Sequence, residues 1–226
     1  VLMPILRIND KCVFFAHVPK CGGTSMTRYL EARFGEMGLL DRGFRKAPAQ
    51  GWTRSSPQHV PFRVLETLLG PGFFALSFTV VRHPATRFLS AYEHQATIGG
   101  IPQRMRPEKL LAALPGWSDK QHFATDNHFR PAVEIAPAQA VFFRLEEGFD
   151  AMSAWLDGLE GQSHPDLAVQ HENSRKKVQK KQPTLNRLLH GKVTRPKLTP
   201  ELAERIHAVY APDYARFGYD VMPPHG

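Results

Sequence analysis

The chain has 226 residues, 42% hydrophobic and 22% charged, with a formal net charge of +8. That length and ordinary globular composition support one domain with a full hydrophobic core, and no apolar run is long enough to span a membrane. The two cysteines, Cys12 and Cys21, make neither a disulfide framework nor a CxxC metal pair, so those scaffolds are excluded.

The sequence carries no Asn-x-Ser/Thr acceptor, and its first residues lack a signal-peptide pattern. The expectation is a reducing compartment, the cytoplasm, and a bacterial source. The basic excess points to an anionic partner: nucleic acid, nucleotide phosphate or acidic glycan. It is unevenly spread. Residues 175–197 hold nine Lys/Arg and no acid, and residues 42–65 hold five and no acid.

Residues 1–11 read as a lead-in to the first strand, Cys12–Ala16, a short apolar run. The chain then breaks at Pro19, Lys20, Gly22 and Gly23. From Thr24 onward Met26, Tyr29, Leu30 and Phe34 recur at helical spacing. Strand, glycine turn and helix together make an anion grip. The glycines admit the phosphate, and the free N–H groups and dipole of the helix N-terminus face it. Lys20 adds a cation, and Thr24 and Ser25 add hydroxyls. A Walker A loop puts its lysine after the second glycine, so this loop is a different one.

Residues 35–61 read mostly as basic loop ending near His59, with a role in binding substrate. Phe62–Leu69 reads as a helix stopped by Gly70-Pro71-Gly72. Leu76–Val81 is an uncharged strand suited to burial on both faces. It delivers Arg82 to a strand's carboxyl end, where open α/β sheets bind ligands. Pro84 suits the first position of the next helix, which carries Ser90, so Arg82 and Ser90 form a second candidate anion site.

Pro107–Leu114 reads as a helix. Asp119, His122, Asp126 and His128 in the next segment fit no standard zinc spacing, and no metal is expected. Ala140–Leu145 reads as a third strand and Phe149–Leu159 as a helix. Thr199-Pro200 opens the last helix as cap and first residue.

Two motifs, HVPKCGGTS and FTVVRHPATRFLSAY, occurring in this order, resemble the sulfotransferases that use 3′-phosphoadenosine 5′-phosphosulfate (PAPS). The resemblance is to the carbohydrate group that includes the heparan and dermatan sulfate 2-O-sulfotransferases. It is specific over about the first 95 residues and of low specificity beyond. It implies a three-layer, P-loop-like α/β fold, with a central, mostly parallel sheet flanked by helices, in one domain over residues 1–226.

The resemblance assigns the 5′-phosphosulfate to Lys20, Cys21, Gly22, Gly23, Thr24 and Ser25, and the 3′-phosphate to Arg82 and Ser90. It picks out His59, 23 residues before Arg82, as the base that takes the acceptor hydroxyl's proton. It also brings Arg175 and Lys176 into the donor site, as part of a basic run that closes over the nucleotide or holds an anionic acceptor. The acceptor is expected to be a glycan or glycolipid hydroxyl, with 3′,5′-adenosine bisphosphate as product.

Three positions depart from the family pattern. Cys21 stands in place of Thr, which is tolerable if backbone does the cradling. His83 stands in place of Asp and is expected to loosen the start of the following helix. Ala132 stands in place of Gln. The competing classes are a nucleoside-triphosphate kinase or hydrolase, a basic nucleic-acid-binding protein and a catalytically dead homologue.

Overall fold

The computed structural model describes residues 2–40, 54–169 and 193–224. They gather into two compact units interleaved along the chain, Val1–Arg82 with Ala132–Glu172 and His83–Pro131 with Asn173–Gly226. Each unit has its own core.

The first unit is built on a five-stranded sheet of order β3-β1-β2-β4-β5. β1 (Leu2–Ile8) and β2 (Lys11–Ala16) form an antiparallel hairpin. Its turn is Asn9-Asp10, with φ of 48° and 63°, the left-handed pair that a two-residue type I′ turn requires. The first residues are therefore a strand, contrary to their reading as a lead-in. Pro4 hides this strand from a propensity reading, because it has no N–H to give a ladder. The pairing of β1 with β3 (Gly38–Leu40) shifts register between Leu2 and Ile5, where Pro4 lies.

β2 pairs in parallel with β4 (Leu76–Val81), and β4 in parallel with β5 (Val141–Arg144). The sheet is thus parallel across β2, β4 and β5 and antiparallel at its β1–β3 side. Helices cover both faces. On one lie α1 (Gly23–Phe34) and α7 (Asp150–Glu160), whose Met26, Leu30, Met152 and Leu156 are wholly buried with Phe15, Phe78 and Val80 of the strands. Each such side chain contributes about 1.5–3 kcal/mol relative to leaving it in water. On the other face Phe14 meets Phe62 of α2 (Phe62–Leu69) with ring centroids 5.9 Å apart. The fold is α/β, three layers deep.

α1 and α7 are also tied by a polar network. Arg33 donates to Tyr29 Oη at 2.8 Å, to Asp157 at 2.6 Å and to Glu160 at 3.0 Å. Burial alone would lower the guanidinium's pKa, but the bonds to Tyr29 and Asp157 outweigh it and raise the value. Asn9 Nδ2 donates to Leu159 O at 2.8 Å, so the hairpin tip caps the last turn of α7.

The second unit forms around α3 (Pro84–Ile98), which buries residues all round its circumference. Phe88 packs on Phe129 and Tyr210 with centroids 5.9 and 6.3 Å apart. The unit also contains α4 (Pro107–Ala113), α5 (Asp119–Ala124) and the long α8 (Pro200–Phe217). The expected Thr199-Pro200 start of α8 holds: Thr199 Oγ1 accepts from Leu202 N at 3.3 Å. α8 kinks at Tyr210, where Pro212 removes a backbone donor. The four-residue α6 (Ala132–Ile135) belongs to the first unit, packed against α2.

Of the stretch read as basic loop, residues 38–40 form β3 and residues 57–59 a single 3-10 turn. Residues 41–53 lie outside the described residues. Among the described residues no helix is long and apolar enough to cross a membrane.

Candidate active site

The three parallel strands set the site. β2, β4 and β5 run the same way, so their carboxyl ends share one edge of the sheet. The register is tight: Ala16 sits opposite Thr79, whose Oγ1 donates to Ala16 O at 2.7 Å. The turn after β2 and Arg82 after β4 thus leave the sheet at one edge. So does Arg144, the register partner of Val81, which pairs with Glu147 at 3.2 Å. The sequence gives no sign of Arg144's position, because a cation in a four-residue strand has no motif around it.

The turn itself is sharply folded. Lys20 has φ 69° and Gly22 has φ 78°, both left-handed, which turns the chain sharply into α1. A non-glycine residue in that region is strained and needs its surroundings to hold it there. Gly22 caps α1 and offers no side chain to its first-turn N–H groups, the kind of helix start that binds anions. Cys21 is buried, its thiol turned toward Pro19 O at 3.7 Å. That inward position is compatible with Cys standing where the resembled pattern has Thr. Thr24 is exposed and Ser25 buried.

The two glycines are required for different reasons. At Gly22 the left-handed φ decides, and a Cβ would also lie 3.1 Å from Leu145 and 3.4 Å from Phe149, in the β5–α7 connection. At Gly23 a Cβ would lie 1.5 Å from His17 Nε2. The imidazole of His17 rests directly on the first turn of α1.

His59 comes to this place from the 3-10 turn at residues 57–59. It is 7% exposed. Its ring stands edge-on to that of His17, centroids 4.9 Å apart and planes at 69°, and its Nδ1 lies 3.2 Å from Ser56 Oγ. The first unit therefore assembles an imidazole, a hydroxyl partner and the glycine turn from segments more than 30 residues apart in sequence. Ser56 does not stand out in the sequence, being one of two serines in a loop, and His17 stands there only as the first residue of HVPKCGGTS, with no role assigned to it.

The second unit holds Ser90, buried on α3. Its helix begins firmly, contrary to the expectation that His83 loosens it. His83 Nδ1 accepts from Ala85 N at 3.2 Å and its Nε2 donates to Asp220 O at 2.9 Å. The imidazole does the capping work of the family's Asp and adds a second anchor. In the same unit Asp119 is taken by Arg130 at 2.6 Å, and His122 packs edge-on against Trp117. Arg175 and Lys176 lie outside the described residues.

The sulfotransferase family model matches residues 4–220. No curated protein and no solved structure matches the chain. Spanning nearly the whole sequence, the match settles the lineage: the chain belongs to the sulfotransferase family.

Proposed function

We propose that the protein transfers the sulfuryl group of PAPS to a carbohydrate hydroxyl. Family membership supports sulfuryl transfer in general. The observation that supports this particular reaction is the packing of His59 on His17 and of His17 on Gly23. It brings a buried imidazole, suited to proton abstraction, to the helix N-terminus suited to a phosphosulfate.

Gly22's left-handed turn and the N-terminus of α1, which no side chain caps, suit an anion held by backbone. Residues Lys20 to Ser25 hold the 5′-phosphosulfate, and Arg82 with Ser90 holds the 3′-phosphate, an assignment that rests on the motif. PAPS supplies an activated sulfuryl group and a phosphate leaving group.

The chain's own work is positioning and charge. Lys20 stabilises the negative charge that grows on the bridging oxygen. His59 accepts the proton of the acceptor hydroxyl, with Ser56 Oγ holding its Nδ1. The basic residues 42–63 serve the acceptor, and Arg175 and Lys176 the nucleotide. The family match runs through both units, which supports one functional domain over residues 1–226. It speaks against a triphosphate kinase and a nucleic-acid-binding protein. Both cysteines are free thiols, in keeping with a reducing, cytoplasmic setting.

Calorimetric titration with 3′,5′-adenosine bisphosphate, ATP and AMP tests the donor site. The bisphosphate binds wild type tightly, ATP and AMP bind weakly, and Arg82→Ala loses the preference. Equal binding of all three overturns the reading. Labelled-sulfate transfer from PAPS to desulfated heparan and dermatan chains then tests the acceptor class.

A further inference from the structure

We infer that His17 is a positioning residue for the transfer, the piece that sets the base His59 against the phosphosulfate cradle. The inference rests on the sulfotransferase reading and adds to it a residue that the motif assignments leave without a role.

The imidazole of His17 is fixed from three sides, all within the first unit. Phe15 of β2 stacks beside it, centroids 5.9 Å apart and planes at 16°. Gly23 of α1 lies against Nε2, so close that a methyl group there would overlap it. His59 stands edge-on at 4.9 Å, the arrangement that aromatic quadrupoles favour. A ring wedged in this way has one orientation and transmits it. His59 has His17 against its ring and Ser56 Oγ at its Nδ1.

A base must meet the hydroxyl it deprotonates within about 3 Å while that hydroxyl lines up with the sulfur. His59 is on a 3-10 turn of three residues, a poor platform by itself. β2 and α1 are rigid, and His17 couples the turn to both. The arrangement also gives Gly23 a purpose distinct from that of Gly22. It is glycine to admit His17, so Gly23→Ala and His17→Ala damage the same contact.

The test is a double-mutant cycle on the full chain, with transfer from PAPS to whichever polysaccharide wild type sulfates, and bisphosphate affinity measured beside it. His17→Ala lowers kcat by about ten- to hundred-fold, as a misplaced catalytic group does, and leaves KM for the acceptor and affinity for the bisphosphate unchanged. His17→Gln, which keeps a polar end but no ring, loses as much. Gly23→Ala, whose methyl displaces the ring, lowers kcat similarly, and combining it with His17→Ala adds no further loss. A wild-type kcat in His17→Ala or His17→Gln, strictly additive losses, or a fall in bisphosphate affinity matching the fall in kcat overturns the inference. These outcomes leave the donor reading standing, since it depends on Arg82 and the bisphosphate. A wild type that ignores the bisphosphate removes both.

Discussion

Arg87 and Asp213 form an ion pair at 3.3 Å with both side chains out of water, 2% and 1% exposed. Arg87 lies on the first turns of α3 and Asp213 on α8, so the pair joins the two principal helices of the second unit. The guanidinium also donates to Arg130 O at 3.0 Å and lies over the ring of Tyr210 at 5.2 Å. Among the described residues its Nε and Nη1 have no hydrogen-bond partner, so Asp213 is the main compensation for burying the charge.

Asp213→Ala takes the carboxylate from the buried Arg87 guanidinium and is expected to cost about 3–5 kcal/mol; Arg87→Ala is expected to cost less, because Asp213 also faces the charge of Arg216. Replacing both with apolar residues of similar volume costs much less. Urea unfolding of the two single variants and of Arg87→Met with Asp213→Leu checks this. A single variant as stable as wild type shows that the pair contributes nothing.

His83 gives a second prediction. Its Nδ1 caps α3 and its Nε2 anchors Asp220 O. His83→Ala loses the cap at about 1 kcal/mol, and amide exchange at Ala85 speeds up. His83→Asp keeps the cap and suits the helix dipole, so exchange at Ala85 stays slow while the anchor to Asp220 is lost. Fast exchange at Ala85 in both variants would show that the imidazole acts by packing alone.

The parts of this fold that a local reading found are those with local causes. Leu76–Val81 and Phe62–Leu69 have the bounds expected of them, since an uncharged β-branched run and a helix ended by Gly70 each declare themselves in a few residues. β1 was missed because Pro4 argues against a strand, while the Asn9-Asp10 turn that proves it is only two residues long. The cap made by His83 was misjudged because Asp is the better capping residue in isolation; the bond to Asp220, 137 residues away, fixes the imidazole as an acceptor. In the site, the turn at Lys20–Gly23 was legible from its glycines. The roles of His17 and Ser56 were not, because they arise only when residues 56–59 fold against β2 and α1.

The tyrosines of the second unit predict its alkaline behaviour. Burial, the largest cause, raises the pKa of Tyr92, Tyr210 and Tyr214 above the ordinary value near 10. Glu108 raises Tyr92 further, and for Tyr210 the charge of Arg87 opposes the shift without cancelling it. A raised folded-state pKa means that the folded form binds protons the unfolded form has released. The stability from these groups is full below pH 10 and is lost as pH rises from there through the folded values. Absorbance at 295 nm should show Tyr92, Tyr210 and Tyr214 ionising only as circular dichroism reports unfolding. Smooth ionisation of all three with the fold intact contradicts the burial.

Gly22 offers the sharpest separation of stability from donor binding. Alanine there must hold φ near 78°, at a cost of roughly 1–2 kcal/mol. Its methyl would also press on Leu145 and Phe149. Relieving either strain rotates the peptide that opens α1 and re-aims the first-turn N–H groups at the anion's place. Gly22→Ala therefore loses affinity for 3′,5′-adenosine bisphosphate by more than its loss of stability accounts for. Gly161→Ala is the control: it has nearly the same φ and ψ, 76° and 15°, at the C-terminal end of α7, with nothing within 4 Å of the added methyl. It pays the same backbone strain and keeps the affinity. Calorimetry on both variants, each first shown folded by circular dichroism, decides the matter. Equal affinities in the two would mean that the turn supports α1 without cradling the donor.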